Sequence, residues 1–284
     1  MTAARARRLG GWVLLAPALA WTLLFFLLPL GIMAVQSLGE RAGGRLLPGW
    51  SLGNYARFFE RPYFLEALLN SLEVAALTTL LSILLAYPLA WILANRVPQR
   101  WQRAALLLAI LPFWTSYLVR SYSWLLVLAP NGVVPSTLAF IGLDPAGMQL
   151  VSNRTGTLIG FVHFFTMLLT LTIYASLVQI PASYLRAAAD LGAAPLQAFV
   201  RVTLPLSLPG VVVGAFLTFV LAIGDYITPQ ILGGNRELLL PQAIMLQIGR
   251  QADFPMASAM SLILMVVISL AYLACARWLR LERG

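Results

Sequence analysis

The sequence predicts an all-α membrane protein of six transmembrane helices with both termini cytoplasmic. Three observations carry this. The chain is 60% hydrophobic and 10% charged, where soluble domains carry about 25% charged residues. Six segments hold the roughly 20 apolar residues that a helix needs to cross a bilayer: 12–35, 71–94, 104–129, 155–180, 206–232 and 256–278. The arginines, finally, are unevenly shared between alternate connections, and positively charged connections stay inside.

The first span opens like a signal peptide. Arg5, Arg7 and Arg8 precede an apolar run containing Ala18-Leu19-Ala20. The run continues through Phe25, Phe26 and Ile32, so an uncleaved span is expected. The connection 36–69 is the longest on the outside. Its stretch 54–70, charged and aromatic, reads as one helix or two lying at the outer surface, either as a plain connector or as a docking surface. With the N-terminus inside, the cytoplasmic side holds Arg5, Arg7, Arg8, Arg96, Arg100, Arg103, Arg186, Arg201, Arg277, Arg280 and Arg283 against Asp190 and Glu282. The outside holds Arg41, Arg45, Arg57, Arg61, Arg154, Arg236 and Arg250 against Glu40, Glu60, Glu66, Asp144, Glu237 and Asp253. A single membrane domain, 1–284, is expected, without internal repeat. Its partner is the lipid bilayer; the net charge of +9 is dispersed and does not point to nucleic acid. Cys275 is the one cysteine, so no intrachain disulfide can form. No metal site is expected, and no G-x-x-x-x-G-K-[ST] is present, which excludes ATP hydrolysis by the P-loop route.

The segment 181–205, PASYLRAAADLGAAPLQAFVRVTLP, is polar between two apolar spans and should sit in water. Ser183 can cap a first, alanine-rich helix. Gly192 lets the chain turn, and Pro195 suits the first turn of a second helix. Leu204-Pro205 should end that helix and start the next span. Two short helices with small side chains make a knob that fits a groove in a soluble partner.

Ionisable groups inside spans are expensive and face a cavity or one another. Glu73 and Arg120 can pair. His163, beside Phe164 and Phe165, reads as a hydrogen-bonded packing residue. Asp225 lies between Gly224 and Pro229, where the helix should loosen or end. With Tyr226 it can hold an ammonium group, or it can pair with Arg120. In the third span Phe113, Trp114, Tyr117, Tyr122 and Trp124 surround Pro112. Trp114, Tyr117 and Ser121 are three and four residues apart and should share a face, as an interfacial belt or as a wall for a cation.

The spacing of the polar segment resembles the E-A-A-x3-G-x9-I-x-L-P loop of ABC-importer permeases. Here it reads Arg186-Ala187-Ala188, Gly192, and Val202-Thr203-Leu204-Pro205. Arg186 stands where the family has glutamate; it neither completes a capping box with Ser183 nor suits the positive end of the helix. Leu111-Pro112-Phe113-Trp114-Thr115-Ser116, Leu118-Val119-Arg120-Ser121-Tyr122 and Gly224-Asp225-Tyr226-Ile227-Thr228-Pro229 are similar to stretches of permeases of the spermidine/putrescine type. The resemblance implies a type I ABC importer permease fold and a partner permease. It further implies two copies of a cytoplasmic ABC ATPase, which bind the ATP and magnesium, and a periplasmic substrate-binding protein. This chain itself would bind no cofactor and carry no catalytic residue. Arg186, Ala187, Ala188, Gly192, Val202, Leu204 and Pro205 would contact the ATPase. Asp225, Tyr226, Glu73, Trp114, Tyr117, Arg120 and Tyr122 are the candidates for the substrate path. A polyamine suits them; relatives of this type also carry ferric iron, opines and phosphonates. Two other classes fit less of the sequence. An ion-coupled secondary transporter leaves the knob unexplained, and a hydrolase pairing His163 with Ser176 lacks an oxyanion device.

Overall fold

The computed structural model describes residues 15–42, 45–47, 49–142, 150–234 and 237–281. The charges at Arg5, Arg7, Arg8, Asp144, Arg236, Glu282 and Arg283, and the first three residues of the first span, lie outside these. So do the side chains of Arg45, Arg277 and Arg280.

Among the described residues six helical segments are long and apolar enough to cross a membrane: Leu15–Ser37, Pro62–Asn95, Tyr117–Phe140, Arg154–Leu177, Pro195–Gly224 and Phe254–Ala276. We label the helices α1 (Leu15–Ser37), α2 (Gly53–Glu60), α3 (Pro62–Asn95), α4 (Gln99–Ile110), α5 (Tyr117–Leu128) and α6 (Val133–Phe140). There follow α7 (Arg154–Leu177), α8 (Ala182–Asp190), α9 (Pro195–Gly224), α10 (Leu240–Gly249) and α11 (Phe254–Leu281). A short antiparallel hairpin pairs Glu40–Ala42 with Arg45–Leu47.

Three expectations fail, each because of a proline. The span expected over 104–129 is not one helix. α4 gives way to a 3-10 turn, Leu111–Trp114, and Thr115 and Ser116 are extended before α5 begins. Pro112 has no N–H to continue the ladder, and its ring crowds the carbonyl four residues back. Thr115 turns its amide and its hydroxyl onto the Pro112 carbonyl instead, at 3.3 and 2.7 Å. Ser183 does not cap α8. The cap is Pro181, with extended backbone, and Ser183 lies within the first turn. Leu204-Pro205 does not end a helix either. Pro195–Gly224 is one rod that passes Pro205 through a π-turn, Phe199–Thr203, with the Leu204 amide bonded to the Phe199 carbonyl. The wider turn relieves the clash that Pro205 would make with the carbonyl of Arg201. The expected turn at Gly192 is present, at φ +81°. Pro195 is in the first turn of its helix, where the Gln197 side chain accepts from the Ala194 amide at 3.1 Å.

The chain forms two compact units, residues 1–65 with 244–266 and residues 66–243 with 267–284. In the first, the expected outer helix is α2. Its Asn54, 4% exposed, donates to the carbonyls of Ser37 and Gly39 at 2.9 and 2.7 Å. Arg57 pairs with Asp253 at 3.1 Å, and the Asp253 carboxylate also caps α11 at the Met256 amide. The span expected from residue 71 already begins at Pro62, because α3 absorbs the rest of the 54–70 stretch.

In the second unit α3 presents a face of small residues. Ser71, Ala75, Thr78, Ser82, Ala86 and Ala90 are all at most 1% exposed. Ala86 and Ala90 pack on Leu169, Ile173 and Leu177 of α7. α7 packs along α9, and the approach is set by Gly210 and Gly214. A Cβ on Gly214 would lie 2.3 Å from the Thr172 hydroxyl, and one on Gly210 would lie 2.8 Å from the Thr172 backbone oxygen. Small residues four apart let helices touch at backbone distance where lipid supplies no hydrophobic drive. Gly210→Ala meets backbone and cannot be absorbed by a rotamer. It is expected to cost about 1–3 kcal/mol, read as a lowered midpoint in thermal unfolding of the purified protein.

Candidate functional site

Two helix interruptions meet in the second unit. One is the Pro112 break between α4 and α5. The other follows Gly224, where α9 stops, Asp225 is extended, and the chain re-forms a π-turn over Pro229–Gly233. The expectation that the helix ends at Asp225 therefore holds. Asp225 does more than end it. Its carboxylate accepts from the amides of Ile227 and Thr228 at 2.9 and 3.3 Å, so it caps the short helical segment that follows. It also accepts the Tyr117 hydroxyl hydrogen, and that hydroxyl lies 2.5 Å from Thr228 Oγ1. Helix caps of this kind are needed because unpaired backbone amides are costly at membrane depth.

Arg120 is 8% exposed. Among the described residues neither Asp225 nor Glu73 is ion-paired with it, contrary to both expected pairings. Its Nη1 donates to the Pro112 carbonyl at 3.1 Å, the same oxygen that Thr115 uses. Its guanidinium carbon lies 4.3 Å from the centre of the Phe164 ring and 5.0 Å from that of Tyr117. The two rings are inclined at 76° to one another, and Phe113 stacks on Phe164 with ring centres 5.1 Å apart. Arg120 also borders a pocket of about 260 Å³ with Pro112, Thr115, Val119, Ser123, Trp124, Val127 and His163. His163 is the hydrogen-bonded packing residue expected: its Nδ1 accepts from Trp124 Nε1 at 3.1 Å.

The remaining candidates lie elsewhere. Trp114, 82% exposed, is in the 3-10 turn and does not continue the helical face of Tyr117 and Ser121. Tyr122 is 55% exposed. Tyr226 is half-buried beside the capped carboxylate. Glu73 pairs with Arg154 at 2.7 Å, and Glu237 approaches the same guanidinium at 3.9 Å. The sequence pointed to Arg154 only as an outside charge. Its position in the first turn of α7, where the helix dipole disfavours a cation, is the signal that it needs carboxylate partners. His163 and Ser176 lie thirteen residues apart on one helix, about 20 Å by the helical rise, and Ser176 packs against Gly210. They form no hydrolase pair. Phe164 was missed as a site residue, since an aromatic within an apolar span reads as packing.

In the knob Arg186, Ala187, Gly192 and Pro205 are exposed, and Ala188, Val202 and Leu204 are partly buried. Phe199 packs edge-on to Tyr87 of α3 at 5.8 Å, and the Tyr87 hydroxyl bonds Ser207 at 2.8 Å. The knob is thus fixed to α3 as well as to its own rod.

Residues 77–281 match the family described as binding-protein-dependent transport system inner membrane component. The chain belongs to this family. It is an inner-membrane permease component, and the match runs from within α3 through the knob to the end of α11. The spermidine/putrescine transport system permease protein PotB of Salmonella typhimurium (strain SL1344) is 32% identical over 270 residues, 95% of this chain and 93% of its own. The inner membrane ABC transporter permease protein YdcU of Escherichia coli (strain K12) is 34% identical over 80% of this chain and 75% of its own. Among solved structures, a bacterial ABC transporter that imports the acidic polysaccharide alginate superposes with a TM-score of 0.75 at 18% identity, covering 96% of both chains. The MetNI methionine ABC transporter superposes with a TM-score of 0.58, covering 77% of this permease and 95% of its own chain. These likenesses place the permease in the importer fold that the sequence predicts.

The cap assignment is testable. Asp225→Ala removes the acceptor for two amides and one hydroxyl and should cost about 1–2 kcal/mol. Asp225→Asn keeps a capping oxygen and should cost less than half of that in the same thermal unfolding assay.

Proposed function

We propose that this chain is one of two permease subunits of an ATP-driven importer of polyamines. The likeness to the spermidine/putrescine permease, 32% identity over 95% of the chain, carries the reading. The Tyr117–Phe164 corner supports it, because aromatic faces beside a carboxylate are the surroundings that an alkylammonium group requires. ATP and magnesium belong to two cytoplasmic ATPase copies, and cargo arrives from a periplasmic binding protein. Both termini and the knob lie in the cytoplasm, on the argument from arginine distribution.

The knob supports the ATPase contact by its surface. Tyr184, Leu191, Leu196 and Val200 are between 50% and 88% exposed on a segment otherwise polar. Exposed apolar side chains grouped on one short element mark an interaction site. Binding-protein-dependent uptake of labelled putrescine and spermidine by the reconstituted transporter, with ATP hydrolysis followed alongside, tests the whole reading. Stimulation of both by either polyamine is expected. Hydrolysis without polyamine uptake would keep the importer and remove this cargo.

Gly192→Asp places a carboxylate and a Cβ at φ +81° in the knob, with open space around them. The chain should still insert, since nothing packs there. Co-purification of the ATPase should fall at least about tenfold, equivalent to about 1.4 kcal/mol of docking. Normal co-purification would remove the knob from the docking surface.

A further inference from the structure

We propose that the Tyr117–Phe164 corner, floored by the Pro112 carbonyl, is an alkylammonium-binding site, and that Arg120 is a tethered cation filling it while cargo is absent. The proposal rests on the polyamine reading for its ligand class, but its geometry stands apart from that reading.

A guanidinium this enclosed is expensive without a carboxylate, and Arg120 has none within ion-pair distance among the described residues. What surrounds it instead is a set of cation acceptors: two ring faces at 76°, at 4.3 and 5.0 Å, and one backbone oxygen at 3.1 Å. Packing alone does not call for a charge here; a methionine of similar volume fills such a corner at lower cost. A primary ammonium makes the same demands as this guanidinium, namely ring faces and a carbonyl. The Asp225 carboxylate, held at the hydroxyl end of the Tyr117 ring, adds negative charge beside the same corner.

The side chain also has somewhere to go. The pocket of about 260 Å³ that Arg120 borders offers the hydroxyls of Thr115 and Ser123 and the ring of Trp124. Arg120 can therefore yield the corner to a cargo ammonium without leaving protein, and can return to expel it. A transport site must bind well enough to load and weakly enough to release. A competitor on a tether supplies the second half.

The test uses the assembled transporter in detergent, with putrescine as probe and 1,4-butanediol as its uncharged counterpart. Arg120→Gln and Arg120→Ala clear the corner and should bind putrescine about fivefold more tightly than wild type, the scale of one cation–π contact. Butanediol should bind none of them. Phe164→Leu, added to Arg120→Gln, should abolish the gain. Equal or weaker putrescine binding in both neutral variants overturns the proposal, and so does a gain that survives Phe164→Leu. Arg120→Lys keeps the charge for folding and loses the stacked plane. It leaves a tethered alkylammonium in the corner and should bind putrescine within about twofold of wild type; a gain of about fivefold overturns the proposal even where the neutral variants fail to assemble. Wild-type uptake of labelled putrescine judges the polyamine reading separately. A wild type that imports none, with the affinity ratio raised as stated, retires that reading and leaves the site standing.

Discussion

Three donors converge on the Pro112 carbonyl: the Thr115 amide, the Thr115 hydroxyl and the Arg120 guanidinium. Three converge likewise on the Asp225 carboxylate: two backbone amides and the Tyr117 hydroxyl. The rule behind both is that a broken helix in an apolar bundle must find partners for its freed backbone groups. Tyr117 and Arg120, one turn apart on α5, tie the two breaks together. The polar side chains in these spans are first the means by which two interruptions are tolerated. Any role toward cargo is built on that arrangement.

This ordering changes how the ionisable residues are understood. Sequence reasoning offered pairs: Glu73 with Arg120, or Asp225 with Arg120. The folded chain instead gives Glu73 to Arg154 and Asp225 to backbone amides, and leaves Arg120 to aromatic rings. Charge alone cannot reveal this, because the partners of Asp225 are main-chain groups, which every residue carries. The flanking Gly224 and Pro229 gave the correct location of the break but not the identity of its cap.

Much of the architecture was legible. Six apolar runs, the helix–turn–helix knob, the left-handed turn at Gly192 and the packing role of His163 follow from hydropathy, from glycine and proline chemistry, and from side-chain type. The errors share one origin. Of three prolines only Pro205 had been given a structural effect, the end of a helix, and each site accommodates the missing donor differently: a 3-10 turn at Pro112, an N-cap at Pro181 and a π-turn before Pro205. Which solution is adopted depends on side chains outside the local proline pattern, near or distant in sequence. Tyr87, 118 residues before Pro205, buttresses the π-turn through Phe199, and Arg120 pins the turn at Pro112.

The π-turn at Phe199–Thr203 makes the knob's second helix and the fifth span a single lever. Thirty residues at 1.5 Å each give a beam about 45 Å long, with the knob's exposed surface at one end and Gly224 at the other. Its natural fulcrum is the close contact at Gly210 and Gly214, where the beam rests on α7 with no interlocking side chain of its own. From there to Gly224 is about 18 Å by the helical rise. Ten degrees of tilt would carry the Asp225 junction about 3 Å, enough to exchange one hydrogen-bonding partner for another. A tilt begun at the knob would thus be felt at the Tyr117 hydroxyl, because the helix runs unbroken past both Pro205 and Pro209.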